Sequence, residues 1–267
     1  MLLMSKILEL NRKDGLQFFY KLLQAIEITN ADQIVNAAHS VLKSGADDLL
    51  TGLEQEWYES VATGQPNYDL YDTDRYLAEV WYCYETYSKK YLREIQKERS
   101  LPPFGIYAQN KNAQLIVDLG NGLGITSAAL SEMFPAATII GTNVPNSSQY
   151  KMAQILANQY GFTMVSDANE IQQQADLLFA SEYFEHFQNP IEHLLHIIEN
   201  LRPKRMLIAN TFTNNAIGHF DFYLHQGKEI DGKTMSRLFN ATLRSLGYKK
   251  VITKMWNNRP AYWELNA

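Results

Sequence analysis

The chain has 267 residues, more than one average domain, with 46% hydrophobic and 20% charged residues, the balance of a soluble globular protein. A net charge of −5 argues against a protein that tracks nucleic-acid phosphates. The single cysteine, Cys83, excludes an internal disulfide framework and a cysteine-rich zinc site, and suits a reducing cytoplasm. The opening MLLMSKILEL is apolar but interrupted by Lys6 and Glu9, and no apolar run approaches the roughly 18 residues needed to cross a bilayer. A soluble, untargeted, cytoplasmic protein without membrane contact is expected.

Residues 5 to 100 read as helical. Phe19, Leu22, Leu23 and Ile26 fall at i, i+3, i+4 and i+7, one face of a helix, and Ile34, Ala38, Val41 and Leu42 repeat the pattern after a candidate cap at Asn30. From Asp72 to Ser100 there is no Gly or Pro, and DTD (72–74) offers N-cap chemistry. That predicts one long helix, lined on one side by Val80, Tyr84, Tyr87 and Tyr91 and ended by the breaker LPPFG at 101–105. The rhythm then changes. LIVDLG, ATIIGTN, FTMVSD, DLLFAS, RMLIAN, KKVITKMW and AYWELN read as seven strands, most of them separated by helical patterns such as PIEHLLHIIENL and KTMSRLFNATLRSLG. Alternation of this kind predicts an α/β fold: a doubly wound, mostly parallel seven-stranded sheet, with an N-terminal helical region over 1–105 and the sheet domain over 106–267. The last two strands, joined only by NNRP, should pair antiparallel at one edge.

The turn after the first strand is the most informative stretch. In VDLGNGLG, Asp118 is followed by Gly120, Gly122 and Gly124, with Asn121 and Leu123 between them. In an open α/β sheet, ligands bind where a strand's carboxyl end feeds a helix N-terminus, and glycines there let a ligand lie on bare backbone. The spacing is not the G-x-G-x-x-G of a dinucleotide fold, and no GK[ST] marks a phosphate loop, so a nucleoside without a pyrophosphate fits better.

On these residues, 114–255 resembles the class I S-adenosylmethionine-dependent methyltransferases, a Rossmann-like fold, and most closely the group that methylates small molecules. VDLGNGLG is similar to the family's first motif. ADLLFASEYFEHFQNPIEHLLHIIENLRPKRMLIAN (175–210) is similar to its later one, a strand ending before "EH", then "P", a helix and the fifth strand. The resemblance implies S-adenosylmethionine as cofactor. Asp118 and the backbone of Gly120, Asn121, Gly122 and Gly124 would surround its methionine end, and Asn143 would meet the ribose hydroxyls. Asp167, beside Ala168, would bind the adenine, and Ser181 and Glu182 would floor the pocket near the sulfonium. It also implies that the N-terminal helices form a lid, with Tyr71 or Tyr76 at the cofactor, and that they offer the surface for a homodimer.

Asn143 departs from the pattern, because the family carries an acid there and a carboxamide offers one uncharged acceptor. A second reading therefore stays open: a methyltransferase-like fold that has lost turnover and acts as a binding scaffold. A third keeps the cofactor but transfers another group. For methyl transfer to an oxygen or nitrogen of a small molecule, the candidate bases are His219, His225 and Glu182. Tyr183, His186, Asp221 and Tyr223 are the candidate substrate contacts. SEYF after the fourth strand is unlike the motif of DNA amino-methylases, so a nucleic-acid substrate is not expected. In α-helical projection Ile191, Leu194, Leu195 and Ile198 form a buried face that leaves His193 and His196 at the surface, without metal-ligand spacing. No metal is expected.

Overall fold

The computed structural model describes residues 6–44, 47–97, 105–251 and 260–266, with the side chains of 44 and 47–51 left aside. The first five residues, most of the 101–105 breaker, and 252–259, which holds the larger part of the expected strand KKVITKMW and most of NNRP, lie outside the described residues.

Five parallel strands follow the predicted order: β1 Leu115–Leu119, β2 Thr138–Thr142, β3 Thr163–Val165, β4 Leu177–Ser181 and β5 Arg205–Ala209. A two-stranded ribbon, β6 Phe222–His225 with β7 Lys228–Asp231, precedes β8 Tyr248–Val251 and β9 Ala261–Leu265. The main sheet has seven strands in the order β3-β2-β1-β4-β5-β9-β8, with β9 antiparallel to both β5 and β8. The expected doubly wound, mostly parallel sheet is therefore present, and its antiparallel pair lies at one edge. The ribbon was not foreseen. GHFDFYLH (218–225) reads as a polar aromatic loop, but its end pairs with Lys228–Asp231 because Gln226 and Gly227 take positive φ and turn the chain back on itself.

Every residue of β1 is buried, as a parallel strand covered on both faces requires. Strand order reverses between β1 and β4, whose register pairs Leu119 with Ala180. A crevice opens beyond the carboxyl ends of the strands at such a switch point. Helices α7 Ile125–Met133, α8 Ser148–Tyr160, α9 Pro190–Leu201 and α10 Gly232–Ser245 follow in the sheet half.

The N-terminal half supplies α1 Arg12–Ala25, α2 Ala31–Ser44, α3 Asp47–Ala62, α4 Asp74–Cys83, α5 Lys89–Gln96 and α6 Gly105–Asn110. Phe19, Leu22 and Leu23 are fully buried, with Phe19 stacked on Trp81 at 4.8 Å. Thr73 caps α4 by accepting from Tyr76 N–H. The expected single helix from 72 is present but not uniform: residues Tyr84–Ser88 form a π-helical segment between α4 and α5. Each of the two hydrophobic clusters draws side chains from both halves. Leu22, Leu77 and Trp81 pack in one with Ile116 and Leu130, and Trp57 and Leu70 in the other with Val117 and Trp263.

One expectation on α9 is corrected. Ile191, Leu194, Ile197 and Leu201 form its buried face, and Leu195 is 42% exposed. His193 is not a surface residue: it stacks on Phe187 at 3.7 Å, and its Nε2 lies 2.9 Å from the Tyr183 hydroxyl. The projection along α9 does not include the preceding segment, whose Phe187 and Tyr183 cover the flank of the helix on which His193 lies.

Candidate active site

Three glycines make the turn after β1 possible. Gly120, Gly122 and Gly124 have φ of 60°, 52° and 81°, the left-handed region that side chains disfavour. Gly120 N–H donates to Thr142 Oγ1 (3.0 Å) and Asn121 N–H to the Thr142 carbonyl (3.0 Å), so the end of β2 holds the turn. A side chain at Gly124 would strike Ala153 Cα, so this glycine serves the packing of α7 on α8. Asp118 is 1% exposed and accepts from Thr126 Oγ1 (2.6 Å) and Ser127 Oγ (2.7 Å). Burial outweighs those two donors and pushes its carboxyl up to about 7.

The turn floors a cavity of about 310 Å³. Asp118, Gly120 to Leu123, Ser181 and Glu182 line its sheet side. The π-helical segment supplies the opposite wall with Tyr84, Tyr87 and Ser88, beside Tyr76, Glu79, Val80 and Tyr91. The predicted stripe of Val80, Tyr84, Tyr87 and Tyr91 thus faces this space. Ser88 Oγ reaches to 3.5 Å from Ser181 Oγ across it. The front is tied down near the rim: Ser148 N–H donates to Asp72 Oδ1 (2.7 Å) and Gln149 Nε2 to the Tyr71 carbonyl (3.2 Å).

The third wall runs from Thr211 to His219. His219 is 5% exposed, and its Nδ1 lies 2.8 Å from the Asn214 carbonyl. A carbonyl only accepts, so Nδ1 carries the proton and Nε2 keeps its lone pair. Burial lowers the ring's pKa, keeping it neutral. His186 is half-buried, with its pKa pushed down to about 3 by the loss of water around the ring and then by His219, and its Nδ1 is 2.9 Å from the Tyr71 hydroxyl. Gly218, at φ 86°, lets the loop close onto Tyr71 and His186, where a Cβ would collide with both.

The structure brings together Asp118, the glycine turn, Ser181, Glu182, His186 and His219. It does not bring the other predicted residues there. Asp221 is exposed, Tyr223 is fully buried with its hydroxyl donating to the Glu185 carbonyl (3.3 Å), and His225 pairs with Lys228 in the ribbon. Asp167 is exposed and closes a capping box around 168–170, with Ala168 buried under it. Asn143 donates from Nδ2 to the Gly122 carbonyl (2.6 Å) and to Asn121 Oδ1 (3.2 Å), bracing the turn from outside the cavity. Tyr183 packs one ring edge against the turn, its Cδ2 2.5 Å from where a Gly120 Cβ would stand.

Two acids were missed. Glu79, half-buried in the front wall, has its carboxyl pushed up to about 8, first by burial and then by Glu54. Glu185 is fully buried, accepts from Thr211 N–H (2.6 Å) and is raised well above the usual carboxyl range by burial, with Glu182 beside it. The i, i+3 spacing of Glu182 and Glu185 was the available signal.

The donor set suits one end of a sulfonium nucleoside: bare backbone at Gly120 to Leu123 beside a buried carboxyl. The space beside Gly120 is filled by the Tyr183 ring.

No protein-family profile matches the chain, and no curated protein does. Among solved structures, an O-methyltransferase family protein from Burkholderia thailandensis aligns over 88% of this chain and 71% of its own, at 14% identity and a TM-score of 0.54. The S-adenosylmethionine-dependent methyltransferase SibL aligns over 92% and 77%, at 11% identity and 0.48. The mitomycin 7-O-methyltransferase MmcR aligns over 97% and 73%, at 14% and 0.44. At these identities the likeness is one of fold, and the first alignment carries it. With its strand order, its reversed β9 and its glycine turn after β1, the chain has the class I S-adenosylmethionine-dependent methyltransferase fold.

Proposed function

We propose that the protein transfers a methyl group from S-adenosylmethionine to an oxygen or nitrogen of a small molecule. One observation carries the reading: the buried Asp118 and the bare glycine turn form the floor of the same cavity that His219 and Glu182 face. Asp118 and the backbone of Gly120 to Leu123 would hold the amino-acid end of the cofactor, which when bound supplies an activated methyl on a positively charged sulfur.

The chain's own contribution is then alignment and dryness. The tyrosine wall and the Thr211–His219 loop enclose the acceptor and keep water from it. A hydroxyl acceptor must lose its proton, and His219 Nε2 and the Glu182 carboxyl are the groups that face the place where this happens. The volume of about 310 Å³ suits a small molecule. A cytoplasmic setting goes with this reading, since the only cysteine, Cys83, is unpaired.

Asn143 and Tyr183 favour a second reading, a scaffold without turnover, because one spends its donors on the turn and the other covers Gly120. Incubation with methyl-labelled S-adenosylmethionine and a panel of small hydroxyl and amine compounds separates the two. The enzyme reading expects label in one acceptor class, lost with His219→Ala. No transfer to any acceptor by a protein that binds the cofactor would contradict it.

A further inference from the structure

The inward face of α4 carries a group that the methyl-transfer chemistry does not use. Tyr76, Glu79, Val80 and Cys83 fall at i, i+3, i+4 and i+7, so one helix face lines the cavity with all four. Tyr84 and Tyr87 continue that wall. We propose that the acceptor taken by this cavity carries a positively charged amine, and that the Glu79 carboxyl is the group that selects it. The inference rests on the methyl-transfer reading and narrows the acceptor to one charge class. An ammonium has no lone pair, so it serves as the handle while another atom of the acceptor receives the methyl.

Placement is the first argument. Glu79 lines the wall across from Asp118, so the cavity carries a carboxyl on each of two sides. Asp118 accepts from Thr126 and Ser127, and its side is the one that takes the amino-acid end of the cofactor. Glu79 is half-buried and accepts no hydrogen bond among the described residues, while Glu54 places a like charge near it. A carboxyl withdrawn from water without a donor is costly, and a ligand that brings a cationic N–H group to it removes that cost.

The composition of the walls is the second, independent argument. Tyr76, Tyr84, Tyr87 and Tyr91 line the same space, and aromatic rings attract ammonium groups. Among the described residues no lysine or arginine lines the cavity. The rings of His186 and His219 are held neutral by loss of water around them. No positively charged side chain therefore stands ready to pair with a phosphate or carboxylate, and an anionic acceptor would instead meet Glu79. Attraction for one charge and repulsion of the other act together in selecting a ligand.

The test is calorimetric binding of three phenols on one skeleton to the intact protein at pH 8, without S-adenosylmethionine. Tyramine carries an ammonium, 4-propylphenol is its neutral isostere, and 3-(4-hydroxyphenyl)propanoate is the anionic counterpart. Tyramine should bind at least ~10-fold tighter than 4-propylphenol, with the propanoate weakest. Glu79→Gln keeps the shape and removes the charge, so it should melt like wild type and bind tyramine and 4-propylphenol about equally. A merely structural role for Glu79 would shift both affinities alike. Tyramine binding no tighter than 4-propylphenol, a preference that survives in Glu79→Gln, or no binding of any of the three at millimolar concentration overturns the proposal. So does a Glu79→Gln protein that does not fold, because the carboxyl would then serve the fold. Methyl transfer is read separately: label appearing only in neutral acceptors would overturn this inference and leave the transferase reading intact, and charge-selective binding without any transfer would do the reverse.

Discussion

Asp118 shows how one residue links sequence, burial and ligand. Its position after two apolar strand residues and before alternating glycines is legible in the sequence; the height of its pKa is not, because that depends on burial among packed neighbours. With the folded pKa raised from 3.8 to about 7, the carboxyl holds its proton in the fold over a range where the unfolded chain has lost it. The associated stability is complete below pH about 4 and disappears as pH rises through about 7, a loss of about 4 kcal/mol. Asp118→Asn should remove this slope, so denaturant titrations of the two proteins should diverge between pH 4 and 7 and run parallel above. Equal slopes would show that Asp118 does not titrate in the fold. A ligand bringing a cation to Asp118 should lose affinity as pH falls below 7.

Tyr183 gives the second residue-scale expectation. No sequence pattern says that a ring three residues past Ala180 will fold back on Gly120; that follows from its contacts with Phe184, Phe187 and His193. If the ring must leave to admit a nucleoside, binding is weakened by the fraction of time the ring spends in place. Tyr183→Ala should therefore tighten S-adenosylmethionine binding several-fold in calorimetry, and weaker binding would make the ring a contact instead.

Among the elements, the strands of the main sheet and the helices around it were readable because apolar runs and 3.6-residue periods reported burial directly, whereas the β6–β7 ribbon, half of it exposed, gave no such signal. The π-helical turn at Tyr84–Ser88 was not. An extra backbone residue in one turn leaves the side-chain pattern almost intact, so the tyrosine stripe was visible while its widened turn was not. A buried ion pair stands at this turn. Lys89 Nζ donates to Glu85 Oε1 (2.6 Å) and to the Leu10 carbonyl (2.7 Å), both side chains being less than a tenth exposed. Removing one partner strands the other charge. Lys89→Ala should cost about 3 kcal/mol and lower the melting temperature by roughly 6–12 °C. The double change Lys89→Met with Glu85→Leu should recover most of it. A single variant melting like wild type would show that the pair carries no strain-free alternative cost.

At the scale of the molecule, the sequence rhythm divides the chain near residue 105, yet the packing does not follow that division. Trp81 and Leu77 sit in one hydrophobic cluster with Ile116 and Leu130, and Trp57 in the other with Val117. Periodicity reports which face of an element is apolar and is silent on what that face meets. A fragment of residues 106–267 should consequently expose a large apolar area and show no cooperative thermal transition, and a sharp transition in that fragment would restore two independent domains. Among the described residues no helix is long and apolar enough to cross a membrane.

The most direct test of the whole reading is calorimetric titration of the intact protein with S-adenosylmethionine at pH 8, alongside the Asp118→Ala variant. One site per chain with micromolar affinity, lost in the variant, is the predicted result. No heat at millimolar ligand, from protein whose melting curve shows it folded, would contradict the account.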